Sequence, residues 1–181
     1  MKVLAIGASS SKASINKQFA SFAANQVDGA EVITLDLNDY EMAIYSSDRE
    51  NETGIPAQAT KFRSLIEEAD GIVISFAEHN GTYSAAFKNI FDWVSRTEGK
   101  TWGDKPMFVL ATSPGARGGM TVMNQAASTL PYQGAQVAGS FSLPSFYQSF
   151  SKEEGIKDAD LNTEFETQLQ LFKSKLSRQA A

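Results

Sequence analysis

The chain has 181 residues, 42% of them hydrophobic and 20% charged, which suits one well-buried domain over 1–181 and is short for two. Its 21 acidic against 16 basic residues give a net charge of −5 with no Lys/Arg-rich run, which argues against nucleic acid and membrane insertion and favours a small-molecule partner. With no cysteine and a single histidine, disulfides, thiolate nucleophiles and Cys-ligated metals are excluded and a zinc site is disfavoured.

The opening MKVLAIGASS has a lysine, then apolar and small residues, as a secretory signal does. Its apolar stretch is shorter than the ~7–15 residues of a signal core, so KVLAIG (2–7) is read as a first strand. No apolar run approaches the ~18–20 residues that cross a bilayer, and a cytoplasmic location is expected. Ile15, Phe19, Phe22 and Ala23 then follow helical spacing, and EVITLD (31–36) reads as a second strand. Residues 37–56 lack clear periodicity and exceed the usual loop length. They are either a lid or partner-contacting loop, or a solvated insertion carrying SDRENE.

Further along, Phe62, Leu65, Ile66 and Ala69 predict a helix, GIVISF (71–76) a strand, and Ala86, Phe87, Ile90 and Val94 another helix. PMFVLAT (106–112) is a fourth strand, followed by helical spacing at Met120, Met123, Ala126, Ala127 and Leu130. A weaker strand, AQVAGSF (135–141), precedes a last helix through Leu161, Phe165, Leu169, Phe172 and Leu176. Alternation of this kind predicts an α/β, flavodoxin-like, doubly wound fold: a five-stranded parallel sheet, order 2-1-3-4-5, with helices on both faces. The loops after strands 1, 3 and 4 then share the carboxyl edge of the sheet, where a crevice opens between strands 1 and 3.

Those loops are the most unusual stretches of the chain. In the first, Ser14 is a natural N-cap, and the first-turn amides behind it offer unpaired donors at the positive end of a helix dipole. Ser9, Ser10 and Ser11 add hydroxyls, Lys12 a charge and Asn16 an amide, which together suit a phosphate. Neither G-x-G-x-x-G nor G-x-x-x-x-G-K-[ST] is present, so a dinucleotide fingerprint and an NTP-type P-loop are unsupported. In the third loop, SPGARGG (113–119), Gly115, Gly118 and Gly119 admit close backbone approach and positive φ, so that amides beside Ser113 can face one electron-rich edge; a plain turn is the alternative. In the second, Asn80 and Gly81 make a turn, Thr82 is read as the N-cap of the next helix, and Glu78 and His79 face the crevice. A lone His is more often a surface or hydrogen-bonding residue than a catalyst, and stacking or hydrogen bonding to a ligand is the functional reading for His79.

AEHNGTYSAAFKNIFDWVSR (77–96) resembles the P-E-Y-N-G-S-x-P-x-x-L-K-N-x-I-D-W-x-S-R signature of the NADPH-dependent FMN reductase family, with Glu78, Asn80, Gly81, Lys88, Asn89, Asp92, Trp93, Ser95 and Arg96 in register. SPGARGG resembles that family's S-x-G-x-x-G-G loop, and Ser14-Ile15-Asn16 its S-x-N, the similarity covering about residues 2 to 140. The sequence departs at Ala77 and at Ala85 or Ala86, where the family has Pro, at His79 for Tyr, at Thr82 for Ser, and at Lys12 for Arg in a phosphate loop one residue longer. The resemblance implies FMN with its phosphate on Ser9, Ser11, Ser14 and Asn16, residues 78–82 along the ring, and Ser113 to Gly119 at the pyrimidine edge.

It further implies NAD(P)H as co-substrate, a small acceptor such as a quinone or free flavin, no obligatory protein acid or base, and a homodimer or homotetramer with contacts through helix 83–96, TWGDK and 37–56. Arg117 is the candidate for a dinucleotide phosphate, against a solvated loop arginine. Lys88 and Asp92 fit an exposed i, i+4 pair, and Trp93 and Trp102 are expected to pack or to meet another subunit. Two other readings compete: a flavodoxin-type electron carrier, whose Thr-rich phosphate loop and strongly acidic surface are not seen, and a non-redox module such as a phospho-receiver, whose acidic cluster is absent because Gly7 and Phe76 end strands 1 and 3.

Overall fold

A computed structural model describes residues 1–179. In chain order the elements are β1 (Lys2–Ala8), α1 (Ile15–Asn25), β2 (Glu31–Leu35), α2 (Ser47–Thr53), α3 (Ala57–Glu68), β3 (Gly71–Phe76), β4 (Glu78–His79), β5 (Thr82–Tyr83), α4 (Ala85–Val94), β6 (Pro106–Thr112), α5 (Met120–Thr129), β7 (Gln136–Leu143), α6 (Phe146–Ser149), β8 (Phe150–Ser151), β9 (Gly155–Ile156) and α7 (Ala159–Gln179). The main sheet is parallel with order β2-β1-β3-β6-β7, which is 2-1-3-4-5 in its principal strands.

Strand alternation sorts the apolar residues into two layers. Leu4, Ile6, Ile72, Ile74 and Val109 point to one face and are covered by Phe62 and Ile66 of α3, Phe87, Ile90 and Trp93 of α4, and Val122 of α5. Val3, Ala5, Val73, Phe108 and Leu110 point to the other and are covered by Phe19 and Ala23 of α1 and Phe165, Leu169 and Phe172 of α7. Every residue of β3 and β6 is buried, as strands sandwiched between helix layers require. Among the described residues no helix is long and apolar enough to cross a membrane.

The segment 37–56 is structured and clasped. Leu37–Tyr40 forms a 3₁₀ turn capped by Asp36, and the chain then runs extended into α2. Asn89 accepts a hydrogen bond from the Tyr45 amide at 2.9 Å and donates to the Met42 carbonyl at 2.9 Å. Trp93 Nε1 donates to the Ala43 carbonyl at 2.8 Å, and the Tyr45 ring stands edge-on to Trp93 at 5.1 Å. Arg96 closes the far end on Glu50 at 3.0 Å. Trp93 and Trp102 are both buried within this chain, Trp102 stacked on Phe91 at 5.7 Å, so neither indole forms an outer contact surface. Lys88 and Asp92 form the expected exposed pair, at 2.6 Å.

At the other side of the sheet edge, Lys17 Nζ meets Asp36 Oδ2 at 2.6 Å. This hydrogen bond, reinforced by the Asn38 amide and opposed by desolvation, lowers the Asp36 pKa from 3.8 to about 2. A depressed carboxylate pKa stabilises the fold fully above the unfolded value and loses that contribution as pH falls through the folded one. Stability is therefore expected to drop between about pH 4 and 2 by roughly 1 kcal/mol from this half-exposed pair, and Lys17→Met is expected to flatten that part of an acid-unfolding curve followed by circular dichroism.

Candidate functional site

The chain leaves β1 for β2 on one side and reaches β3 on the other, so the loops after β1 and β3 diverge and a crevice opens at their carboxyl ends. A cleft of about 250 Å³ occupies it, lined from the first loop by Ser9, Ser11, Ser14 and Ile15, from the second by Ala77, Glu78 and His79, and from the third by Thr112, Ser113 and Pro114. The three loops converge as the alternation of strands and helices required.

Ser14 caps α1, its Oγ accepting from the Lys17 amide at 3.1 Å, and Ser9 Oγ accepts from the Ser11 amide at 3.2 Å. Both hydroxyls therefore spend a lone pair on the loop and keep their proton for something else. The amides of Lys12, Ala13, Ile15 and Asn16 find no acceptor among the described residues, and Lys12 is exposed beside them. Free amides, spare hydroxyl protons, a helix N-terminus and a cation make a donor set suited to a phosphate dianion.

Asn16 is placed differently from the expectation. It is 3% exposed, and its amide is turned under the loop: Nδ2 donates to the Thr112 carbonyl at 3.1 Å, while Oδ1 accepts from the Thr112 amide at 3.1 Å and from Ser75 Oγ at 2.7 Å. The side chain thus faces the sheet, not the cleft.

Asn80 and Gly81, at φ 53° and 80°, form the tip of a two-residue hairpin between β4 and β5, the geometry an Asn-Gly pair favours. Thr82 is not the N-cap of α4; it lies in β5 and donates to Gln125 Oε1 at 2.9 Å. Ser84 caps instead, accepting from the Phe87 amide at 3.3 Å while donating to the Ala8 carbonyl at 2.9 Å, which ties α4 to the end of β1. Asn80, Gly81 and Thr82 stand on the exposed hairpin beyond the cleft wall that Glu78 and His79 form. Glu78 also accepts from the Val122 amide at 3.0 Å, supplying the cap that Gly119 lacks at the start of α5.

Of the three glycines after β6, Gly118 and Gly119 have φ of 60° and 77°, whereas Gly115 does not take positive φ. A Cβ on Gly118 would lie 2.8 Å from the carbonyl carbon of Leu143, so that glycine lets the loop press on β7. Gly115 is exposed, with nothing nearer than Ser113 Oγ at 3.9 Å to where its Cβ would be. Arg117 is exposed, bonds Thr121 Oγ1 at 3.0 Å and lines a separate pocket of about 260 Å³ with Met120 and Glu164.

The model of the NADPH-dependent FMN reductase family matches residues 1–148. The chain belongs to this family. Among curated relatives, a 2-hydroxy-1,4-benzoquinone reductase of a Burkholderia species is 37% identical over 78 residues, 42% of this chain and 42% of that protein. The quinone reductase of Escherichia coli K12 is 33% identical over 79 residues, 44% of this chain and 42% of its own length. An NADPH azoreductase of Bacillus sp. OY1-2 is 28% identical over 130 residues, 72% of this chain and 68% of its own. The match thus spans about two fifths of the first two relatives (42% each). FerB of Paracoccus denitrificans, a flavoenzyme NAD(P)H:(acceptor) oxidoreductase, superposes with a TM-score of 0.77 over 98% of this chain and 97% of its own at 21% identity, a likeness of fold.

Tyr147 was not anticipated. It is 66% exposed, follows β7 and lines the cleft together with the three loops. The Phe146 and Ser145 amides bond the carbonyls of Ser113 and Gly115, each at 3.0 Å, which fastens this segment to the third loop. An aromatic just past the last strand's carboxyl end, in PSFYQSF, was the available signal. No group of three or more potential metal ligands occurs among the described residues.

Proposed function

We propose that the chain is an FMN-dependent oxidoreductase that passes electrons from NAD(P)H to a small acceptor such as a quinone, a free flavin or an azo compound. The supporting observation is the convergence of three loops on one cleft whose donors fit both ends of a phosphorylated, electron-poor ring. FMN bound there supplies a two-electron carrier that takes hydride from the nicotinamide and returns electrons to the acceptor.

In this reading the hydroxyls of Ser9, Ser11 and Ser14, the free amides of α1 and Lys12 hold the phosphate. Ala77, Glu78 and His79 wall one side of the ring, with the Asn80–Thr82 hairpin beyond them and Tyr147 also lining the cleft. Ser113 and the amides of Gly115 and Ala116, which have no acceptor among the described residues, would supply donors where negative charge would gather on reduction, as an oxyanion hole does. Arg117, outside the cleft, is the proposed contact for a dinucleotide phosphate. Self-association into a homodimer or homotetramer is proposed on the family resemblance, and sedimentation velocity distinguishes it from a monomer.

Purified protein is expected to bind FMN saturably, with a shifted visible spectrum, and to oxidise NAD(P)H with a quinone in steady state. A saturable FMN signal without that oxidation would favour an electron carrier, and no signal at all would remove the redox reading. His79 is exposed on the cleft wall. Replacing this polar ring by an apolar one in His79→Phe is expected to shift the FMN midpoint potential. An unchanged potential in that variant would rule out a role for His79 beside the ring.

A further inference from the structure

We propose that Asn16 is a positioning residue that locks the phosphate loop to the third loop, so that both ends of the cleft are set by one buried amide. This rests on the flavin reading above. Asn16 is the second residue of α1, next to the free amide of Ile15, and its side chain reaches both main-chain groups of Thr112. Thr112 is the last residue of β6 and itself lines the cleft, and its Oγ1 donates to the Leu143 carbonyl at 2.8 Å, carrying the tie onward to β7.

A two-point bond to the backbone of one residue fixes direction as well as distance, because the side-chain amide must match its N–H and C=O together. Ser75 Oγ occupies the remaining lone pair of Oδ1 at 2.7 Å and is itself wholly buried, so the network is buried and satisfied. In such a setting each lost bond strands a buried partner, which costs more than an exposed hydrogen bond. Loops 9–14 and 113–119 contact different parts of a flavin, so a strut between them governs the whole ligand, whereas a phosphate ligand governs one end.

FMN and riboflavin, which differ by the phosphate, separate these roles. Asn16→Ala is expected to weaken both by the same factor, at least about tenfold, the size of one stranded buried group. In the flavin-free protein, trypsin is expected to cut faster after Lys12 and after Arg117, one site in each loop. Loss confined to FMN, or no loss with unchanged cleavage, would overturn the proposal. Ser75→Ala removes one bond without touching the cleft and is expected to show the same paired pattern at about threefold; it decides alone should Asn16→Ala not fold, and unchanged affinities there count against the strut.

Asn16→Asp adds a signature that simple loosening lacks. The ionised carboxylate faces the Thr112 carbonyl and repels it, but the protonated acid offers that carbonyl an O–H. Riboflavin affinity of Asn16→Asp is expected to recover as pH falls from about 8 to about 5, since burial raises a carboxyl pKa, while wild type and Asn16→Ala stay flat. Absence of recovery would sink the donor role. If wild type binds neither flavin, the flavin reading fails and trypsin cleavage still judges the strut.

Discussion

Gly7→Ala is expected to lower the free energy of unfolding by about 3 kcal/mol and to abolish most flavin binding, although Gly7 lines no cleft. A Cβ at this position would lie 2.4 Å from Lys17 Cα and 2.5 Å from Lys17 N. These are main-chain atoms of the first turn of α1, which no rotamer change can move aside. The helix must lift, and with it the Ser14 cap, the free amides behind it and the Asn16 tie to Thr112. Urea unfolding measures the first effect and FMN titration at a temperature where the variant is folded measures the second. Gly29→Ala is the control: its φ of 68° makes a side chain costly there, but nothing lies within 4 Å, so about 1 kcal/mol is lost while flavin affinity stays that of wild type. Equal flavin loss in both variants would show that the cleft follows global stability, not the seat of α1.

The same contrast explains what was legible in the sequence. Apolar periodicity found the principal strands and the helices that cover them, because burial on two faces leaves a run such as GIVISF no polar position. Turn chemistry found the Asn80-Gly81 hairpin tip and the Ser14 cap, since both are local. What was misread depends on partners distant in sequence. Asn16 looks like a ligand group until Thr112, 96 residues on, is placed beside it. Thr82 and Ser84 are equally good caps by type, and only the pairing of β4 with β5 assigns the task to Ser84. Gly118 needs its glycine for β7, a contact invisible in SPGARGG itself. Tyr147 was overlooked because its place depends on the β7 terminus meeting the third loop.

The sequence allows segment 37–56 to be a lid or partner-contacting loop or a solvated insertion, and its contacts within the chain match neither description fully. Its α2 has no buried residue, as SDRENE suggested, yet residues 42–45 are held by α4 through Asn89 and Trp93. Those two belong to the signature K-N-x-x-D-W-x-S-R, and Arg96 reaches Glu50 from its end. This half of the motif therefore builds a buttress for residues 42–50, while Glu78 and His79 supply the cleft wall. Motif matching treats the two halves alike; hydrogen-bond partners separate them.

Trp93→Ala accordingly tests the buttress, and it is expected to cost about 3–5 kcal/mol, the range for removing a wholly buried large aromatic. Most of that is the cavity left between α4 and the sheet. A further part is specific: the Ala43 carbonyl loses its donor and Tyr45 loses the ring it stands against. Trp93→Phe separates the two, since it fills most of the volume and removes only the indole N–H, for about 1 kcal/mol. Hydrogen exchange at the Tyr45 amide is the local reporter, because that amide is bonded to Asn89, which shares α4 with Trp93. Both variants are expected to speed exchange there, and Trp93→Phe to do so while amides of β3 and β6 keep wild-type protection. If exchange at Tyr45 rises only in step with global unfolding, the segment folds as one unit with the sheet. If it rises alone, residues 42–45 open independently, and the family motif carries a local latch on that segment.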